Sequence, residues 1–109
     1  MHELAIVNGI LEAVTERSEG ARILRIVLEI GELTAILPDA LQFCFDIAAH
    51  GTAAEGAKLD IERTEGLAKC RACRREVPVH LPHGLCPCGS TSLDLIRGDE
   101  LRIREMEVA

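Results

Sequence analysis

Cys70-Arg71-Ala72-Cys73, followed by Cys86-Pro87-Cys88-Gly89, places four of the five cysteines of the chain within nineteen residues. Each close pair sets two sulfurs on one turn, where both can reach the same small cation. Two such turns facing each other supply the four thiolates of a tetrahedral structural zinc site. The stretch therefore predicts a module that is stabilised by a bound zinc ion and is separate from the rest of the chain. Its predicted zinc ligands are Cys70, Cys73, Cys86 and Cys88.

Other cysteine chemistries fit this stretch less well. A redox C-x-x-C pair normally sits at a helix N-terminus in a thioredoxin-like context, whereas the residues after Cys73 favour a strand. An iron-sulfur site and a mixed cysteine-histidine set stay open, since His80 and His83 lie nearby and the second pair is a tight C-x-C. Those histidines could also tune the site with pH, or be ordinary loop residues. Four filled positions leave no place for a catalytic water.

The composition describes a small folded protein whose core needs support. The 109 residues suffice for one ordinary domain or two small ones, and 48% are apolar. Only Phe43 and Phe45 are aromatic, so the core must be aliphatic, and a metal clip would supplement it. No segment has the length of a membrane span or the pattern of a signal peptide. We therefore expect a cytoplasmic protein without a membrane partner, whose cysteines stay reduced and available to metal.

The charge balance disfavours nucleic acid as a partner. The formal net charge is -6, whereas binding to phosphates needs a clustered basic surface. Arg71, Arg74 and Arg75 do form a local basic cluster beside the first cysteine pair. This cluster fits a solvated loop, or a docking patch for an acidic protein.

The apolar periodicity predicts two helices and five strands. Apolar residues recur at helical spacing near the N-terminus, and Pro38 suits the first turn of a second helix. Alternation of apolar and polar residues marks four of the strands, two of which fall inside the cysteine module, and a run of β-compatible aliphatic residues marks the first strand. The helices are predicted at residues 4–17 and 38–50, and the strands at 22–32, 58–63, 77–81, 93–95 and 100–108.

These elements predict an α+β fold: a small three-stranded sheet with two helices plus an inserted zinc-ribbon-like module. The last strand should return past the module and join the first sheet. The predicted domains are an α/β domain of residues 1–64 and 99–109, and a zinc-binding domain of residues 65–98. Cys44 stands apart from the pairs and is expected to be a buried small hydrophobe.

Met1-His2-Glu3, at the start of the chain, offers an unusual set of nitrogen donors. A terminal amine, the neighbouring peptide nitrogen and the His2 imidazole can form fused chelate rings around one ion. Deprotonated peptide nitrogens suit square-planar Ni(II) and Cu(II), and give Zn(II) little advantage. Glu3 could add an oxygen donor, or be a first-turn acid favoured by the helix dipole.

Several segments of the chain together resemble one known family. They are Met1-His2-Glu3-Leu4, Leu28-Glu29-Ile30-Gly31-Glu32, the two cysteine pairs, and Cys88-Gly89-Ser90 followed by Gly98-Asp99-Glu100-Leu101-Arg102-Ile103. In this order, and over nearly the whole chain, they resemble the HypA/HybF family, accessory proteins that incorporate nickel during maturation of [NiFe]-hydrogenases. The family usually shows C-P-x-C at the second pair, whereas this chain has Cys86-Pro87-Cys88. The resemblance implies the same metal there, held by a turn of different detailed geometry.

The resemblance implies a nickel metallochaperone and not an enzyme, and the sequence shows no nucleophile-base pair or phosphate-binding glycine loop. Nickel would be held in the α/β domain by the Met1 amine, backbone nitrogens near His2 and Glu3, and the His2 side chain. The zinc ligands of the family map onto Cys70, Cys73, Cys86 and Cys88. The implied partners are a HypB-type GTPase and the [NiFe]-hydrogenase large-subunit precursor, and we expect a monomer or weak dimer. The alternative is a zinc-stabilised adaptor that bridges proteins without transferring nickel.

Overall fold

The computed structural model describes residues 2–81 and 84–109, with the His2 side chain outside the description. Within these residues the chain forms two helices and six strands. In chain order they are α1 (His2–Ser18), β1 (Ile23–Gly31), α2 (Pro38–Ala48), β2 (Lys58–Thr64), β3 (Leu67–Cys70), β4 (Glu76–Pro78), β5 (Leu93–Arg97) and β6 (Leu101–Val108). No helix in these ranges is long and apolar enough to cross a bilayer.

The strands form two small sheets. One has the order β2-β1-β6 and the other the order β4-β3-β5. The late strand β6 therefore returns to pair with β1, as predicted. The predicted α+β fold, with two helices, a three-stranded sheet and an inserted zinc-ribbon-like module, is confirmed. In the second sheet β3 pairs antiparallel with both of its neighbours.

The chain divides into two compact units. The first unit comprises Met1–Leu28, Ile36–Glu62 and Ile103–Ala109, and the second comprises Glu29–Ala35 and Arg63–Arg102. The second unit thus takes in residues 29–35, 63–64 and 99–102, which lie outside the predicted zinc-binding domain. These short segments are the strand ends through which the chain enters and leaves the cysteine module, and their backbone groups bond to one another.

The first unit is built around a core that is aliphatic except for Phe45. Each helix buries one apolar face, because its apolar residues recur at three- and four-residue spacing. Helix α2 begins where Leu37 is extended and Pro38 occupies the first turn, in which no N–H is needed. Strand β1, central in its sheet, completes the core. The buried side chains contributed by α1, β1 and α2 are Val7, Ile10, Leu11, Val14, Ile23, Ile26, Val27, Leu28, Leu41 and Phe45.

Three glycines of the second unit, Gly31, Gly66 and Gly98, allow backbone segments to pass in direct contact, and we call them the glycine crossing. A Cβ on Gly31 would overlap the Gly98 carbonyl, and a Cβ on Gly66 would overlap the Val79 carbonyl. Gly98 has a φ of 123°, which side chains rarely adopt. The Leu33 N–H donates to the Gly98 carbonyl at 2.8 Å. Glycine is therefore the residue that fits these three positions.

Some local predictions were wrong. The pattern near residues 77–81 predicted a strand to Leu81, but β4 ends at Pro78, whose ring nitrogen cannot donate to a sheet. Strand β3 was not predicted at all. Helix α2 ends at Ala48, two residues earlier than predicted. Cys44 is half-buried and not buried, because it lies at the edge of the α2 face that is buried through Leu41 and Phe45.

Candidate metal centre

The first cysteine pair lies on the turn between β3 and β4. Cys70 is the last residue of β3, and Cys73 lies within the turn. The Arg74 N–H donates to the Cys70 carbonyl at 2.9 Å, and the Cys70 N–H donates to the Arg75 carbonyl at 2.8 Å. Arg74 adopts a left-handed φ of 63°, so the chain reverses tightly at this point. The turn thereby brings the two sulfurs to the same metal position.

The second pair lies on a turn that precedes β5. The Gly89 N–H donates to the Cys86 carbonyl at 2.8 Å, and the Cys86 N–H donates to the Ser90 carbonyl at 3.0 Å. Gly89 has a φ of 96°, which glycine adopts without strain. This glycine turn accommodates the short spacing between Cys86 and Cys88.

The four sulfurs meet in one cluster. Cys70 Sγ lies 3.6 Å from Cys88 Sγ, and Cys73 Sγ lies 3.5 Å from Cys86 Sγ. All four Sγ atoms lie within 4.8 Å of one another. Zinc–sulfur bonds of about 2.3 Å in a tetrahedron place the sulfurs about 3.8 Å apart. The cluster therefore has the donor type, the donor number and nearly the dimensions of a four-thiolate metal site.

The cysteines of the cluster differ in exposure. Cys70 and Cys86 are fully buried, Cys73 is half-buried and Cys88 is exposed. The small core of this unit consists of Ala68, Cys70, Val77, Val79 and Cys86. Two of its members are thus also candidate metal ligands. Packing and metal binding in this unit depend on the same side chains.

Backbone N–H groups prepare the first pair for a cation. The Cys73 and Ala72 N–H groups lower the pKa of Cys70 to about 6, against the opposing effect of burial. The pKa of Cys73 is also lowered, first by the Arg75 N–H and then by the Cys86 thiol. Metals bind the thiolate form. The Cys70 sulfur can therefore become a ligand near neutral pH, and the lowered pKa of Cys73 favours its thiolate form.

Cys86 has the opposite character. The Cys88 N–H acts to lower the pKa of Cys86, but burial and the neighbouring cysteines outweigh it and raise that pKa to about 12. Four thiolates at this spacing would repel one another, and a divalent cation removes that repulsion. A bound cation must therefore displace the Cys86 proton.

The structure brings all four predicted zinc cysteines together. Among the residues that it describes, these four are the side chains placed to share one ion. His80 is engaged elsewhere, since its Nδ1 lies 3.1 Å from Glu32 Oε1. His83 lies outside the described residues. The mixed cysteine-histidine alternative thus gains no support from His80.

The predicted nickel-binding residues lie at the start of the chain. Met1 lies outside the described residues, and so does the His2 side chain. His2 is the first residue of α1, and Glu3 is half-buried in its first turn. The nickel-binding role of these three residues stays a prediction.

Sequence reasoning missed the polar contacts around the cysteine turns. Arg71, between the cysteines of the first pair, donates to Asp94 Oδ1 on β5 through Nη2 at 2.6 Å and Nε at 2.8 Å. Glu32 accepts the Gly66 N–H at 2.6 Å, from 34 residues away. Contacts so distant in sequence leave no local spacing signal. Only the resemblance of residues 28–32 to a known family singled out Glu32.

Comparison with known proteins identifies relatives over the full length. The family model described as hydrogenase/urease nickel incorporation, metallochaperone, hypA matches residues 1–108. The hydrogenase maturation factor HypA of Nostoc sp. is 54% identical over 108 residues, covering 99% of this chain and 96% of the relative. That of Geobacter sulfurreducens is 43% identical over 109 residues, covering 99% of both.

Solved structures share the fold. The solution structure of the Ni metallochaperone HypA from Helicobacter pylori has a TM-score of 0.65 at 21% identity, covering 97% of this chain and 96% of that one. A solution structure described as HypA protein has a TM-score of 0.67 at 26% identity, covering 100% and 97%. The match over residues 1–108 and the high identity to curated relatives show that this chain belongs to the HypA family of hydrogenase/urease nickel-incorporation metallochaperones.

Proposed function

We propose that this chain is a nickel metallochaperone that delivers Ni(II) for assembly of the [NiFe]-hydrogenase active site and carries a structural zinc ion. The observation that carries the proposal is the family match over residues 1–108, and the four-cysteine cluster agrees with it. The activity is binding and transfer, without catalysis. We propose that the protein acts in the cytoplasm, where thiols stay reduced.

Zinc is the metal proposed for Cys70, Cys73, Cys86 and Cys88. Four thiolates in a closed tetrahedral set are typical of structural zinc, which leaves no open position for substrate. When bound, the ion would supply folding free energy to a unit with a small core. The chain itself contributes the two turns and the N–H groups that favour thiolates at Cys70 and Cys73.

Nickel is the cargo, and we propose that Met1, His2 and Glu3 hold it. The Met1 amine, backbone nitrogens near His2 and Glu3, and the His2 imidazole form a nitrogen-rich set of the kind that Ni(II) prefers. The start of α1 at His2 supports this set, since first-turn N–H groups have no partner inside a helix. Those amides are free to exchange a proton for nickel.

Transfer follows from the chemistry of these donors. Amine, amide and imidazole must each lose a proton to bind, so nickel affinity should fall in acid. A ligand set at the chain terminus can approach the ligands of a partner and exchange the ion stepwise. We propose a HypB-type GTPase and the hydrogenase large-subunit precursor as the partners in this exchange.

The test compares the parent chain with an authentic Met1 terminus, the His2→Ala variant and a chain with one extra N-terminal residue. We expect one zinc per chain in all three, and tight nickel binding by the parent only, measured by metal analysis and calorimetric titration. Loss of zinc from His2→Ala would contradict the separation of the two sites. Equal nickel binding by all three chains would contradict the proposed nickel ligands and favour the zinc-stabilised adaptor.

A further inference from the structure

The Glu32 carboxylate joins two segments of the second unit that lie far apart in sequence. Its Oε1 accepts the Gly66 N–H at 2.6 Å and lies 3.1 Å from His80 Nδ1. The Glu32 side chain is 24% exposed, and that of His80 is 67% exposed. Gly66 is buried, so it is the better shielded of the two partners and should dominate the contact.

Gly66 and His80 both lie at the open end of one hairpin. Gly66 immediately precedes β3, and His80 lies two residues after Pro78, the last residue of β4. The register pairs Leu67 with Pro78 at this end, and the Val79 N–H donates to the Gly66 carbonyl at 2.9 Å. The first cysteine pair lies at the opposite end, on the turn between the same strands. Glu32 thus closes the hairpin whose turn carries Cys70 and Cys73.

The contact is charge-assisted. The Gly66 N–H lowers the pKa of Glu32 most strongly, and His80 and Arg63 lower it further against burial. The carboxylate is therefore ionised at neutral pH. Hydrogen bonds between an ionised acceptor and an N–H are shorter and stronger than neutral ones, which agrees with the distance of 2.6 Å.

The glycine crossing makes this contact possible. A Cβ on Gly66 would overlap the Val79 carbonyl and lie 3.1 Å from Leu33 Cγ. Without that Cβ, the backbone of Gly66 comes close enough for the residue after Gly31 to reach its N–H. The motif at residues 28–32, which neither proposed metal site uses, thereby acquires a structural role.

We propose that Glu32 is a positioning residue for the metal centre: its carboxylate fixes the open end of the β3–β4 hairpin and so holds the first cysteine pair in register for the metal. The inference rests on the proposed zinc site. The free energy of metal binding includes the ordering of the ligand segments. A hairpin already closed at its far end has less ordering left to undergo when the ion binds.

The test measures zinc release from the loaded chain to a chromophoric chelator. We expect Glu32→Ala to release zinc about tenfold faster than the parent, the scale on which hydrogen-bond partners outside the ligand set influence metal affinity. Glu32→Gln should recover most of the loss, because its amide oxygen still accepts the Gly66 N–H. The matched control is Glu65→Ala, which removes an exposed carboxylate beside Gly66 and should release zinc at the parent rate.

Equal release rates for Glu32→Ala and Glu65→Ala would overturn the proposal, and so would failure of Glu32→Gln to restore slow release. If the parent itself held no zinc, the proposed zinc site would fail instead. Cobalt(II) loading separates a loosened site from a lost one, because thiolate-to-cobalt bands report how many sulfurs bind. We expect four-sulfur spectra from the parent and Glu32→Gln.

A second measurement serves if Glu32→Ala does not fold. Amide hydrogen exchange at Gly66 is compared between the zinc-loaded parent and Glu32→Gln. The weaker neutral acceptor should speed exchange at Gly66 and leave the Gly89 amide, bonded to the Cys86 carbonyl, unchanged. Lack of exchange protection at Gly66 in the zinc-loaded parent would overturn the proposal.

Discussion

At the residue scale, the four cysteines of the cluster should not tolerate substitution equally. Cys86 is fully buried in the small core, whereas Cys88 is exposed. We expect Cys86→Ser to abolish zinc retention and unfold the second unit, because it loses a ligand and buries a hydroxyl. Cys88→Ser should weaken zinc binding but leave the Ala68–Val77–Val79 packing intact.

Zinc content and amide exchange of the purified variants check this order. Cys44→Ser is the matched control, since Cys44 lies on α2 outside the cluster. It should retain one zinc per chain. Full zinc retention by Cys86→Ser would show that the cluster does not bind through four sulfurs.

A surface ion pair gives a second residue-scale prediction, on acid stability. Arg25 Nε donates to Asp60 Oδ2 at 2.5 Å, and this contact first, then Lys58, lowers the pKa of Asp60 against burial. A carboxylate whose pKa is lower in the folded state than in the unfolded state stabilises the fold. That contribution is complete above the pKa of the unfolded state, about 3.9, and is lost as the pH falls through the pKa of the folded state. Asp60→Asn should therefore be less stable than the parent at neutral pH, with the difference vanishing in strong acid.

Denaturant unfolding of the first unit at several pH values checks this. Asp46→Asn, which changes an exposed aspartate on α2, should follow the parent more closely. A stability difference for Asp60→Asn that stayed constant down to strongly acidic pH would contradict a role for the Asp60 charge.

At the element scale, two glycines should respond in opposite directions to alanine. Gly9 lies in the middle of α1, and nothing approaches within 4 Å of the position its Cβ would take. Gly9→Ala should stabilise the chain by about 0.5–1 kcal/mol, because glycine is a poor helix former. The unfolding temperature should then rise by several degrees. A lower unfolding temperature would contradict the presence of open space around Gly9.

Gly66→Ala should do the reverse. Its Cβ would overlap the Val79 carbonyl. The backbone on the two sides of the hairpin would therefore have to separate at this end. We expect loss of zinc retention together with a lower unfolding temperature, measured on the same samples. Normal zinc release from Gly66→Ala would show that the glycine crossing is dispensable.

The elements also show how far the sequence could predict this fold. Both helices, β2 and β6 were predicted because their apolar periodicity is clear, and β1 because it is a long run of β-compatible aliphatic residues. Strand β3 was missed because four residues, two of them Lys69 and Cys70, are too few for an alternation signal. The cysteine cluster was predictable from spacing, because each close pair sets two sulfurs on one turn. Glu32 was not predictable from spacing, because its partners are fixed by tertiary folding.

At the scale of the whole molecule, metal removal should affect the two units differently. The first unit has a core of Phe45 and many aliphatic residues from two helices and a sheet. The buried cluster around the cysteine turns of the second unit has five residues, two of them cysteines. We expect removal of zinc by a chelator to abolish the protection of backbone amides in residues 63–102, while the amides of α1 and α2 stay protected. Amide hydrogen exchange measures both. Uniform loss of protection over both units would contradict this independence.

The pairing of β1 with β6 also bears on how the protein is made. Ribosomes deliver β1 first, then the cysteine module, and β6 only afterwards, so one edge of β1 stays unpaired while the module is synthesised. An open strand edge is a template for pairing with another chain. The β3–β4 hairpin closes over a short sequence distance and can form early, whereas the β1–β6 ladder is long-range and slow. The time spent with that edge open is therefore a period of aggregation risk during synthesis, and it ends only when β6 arrives.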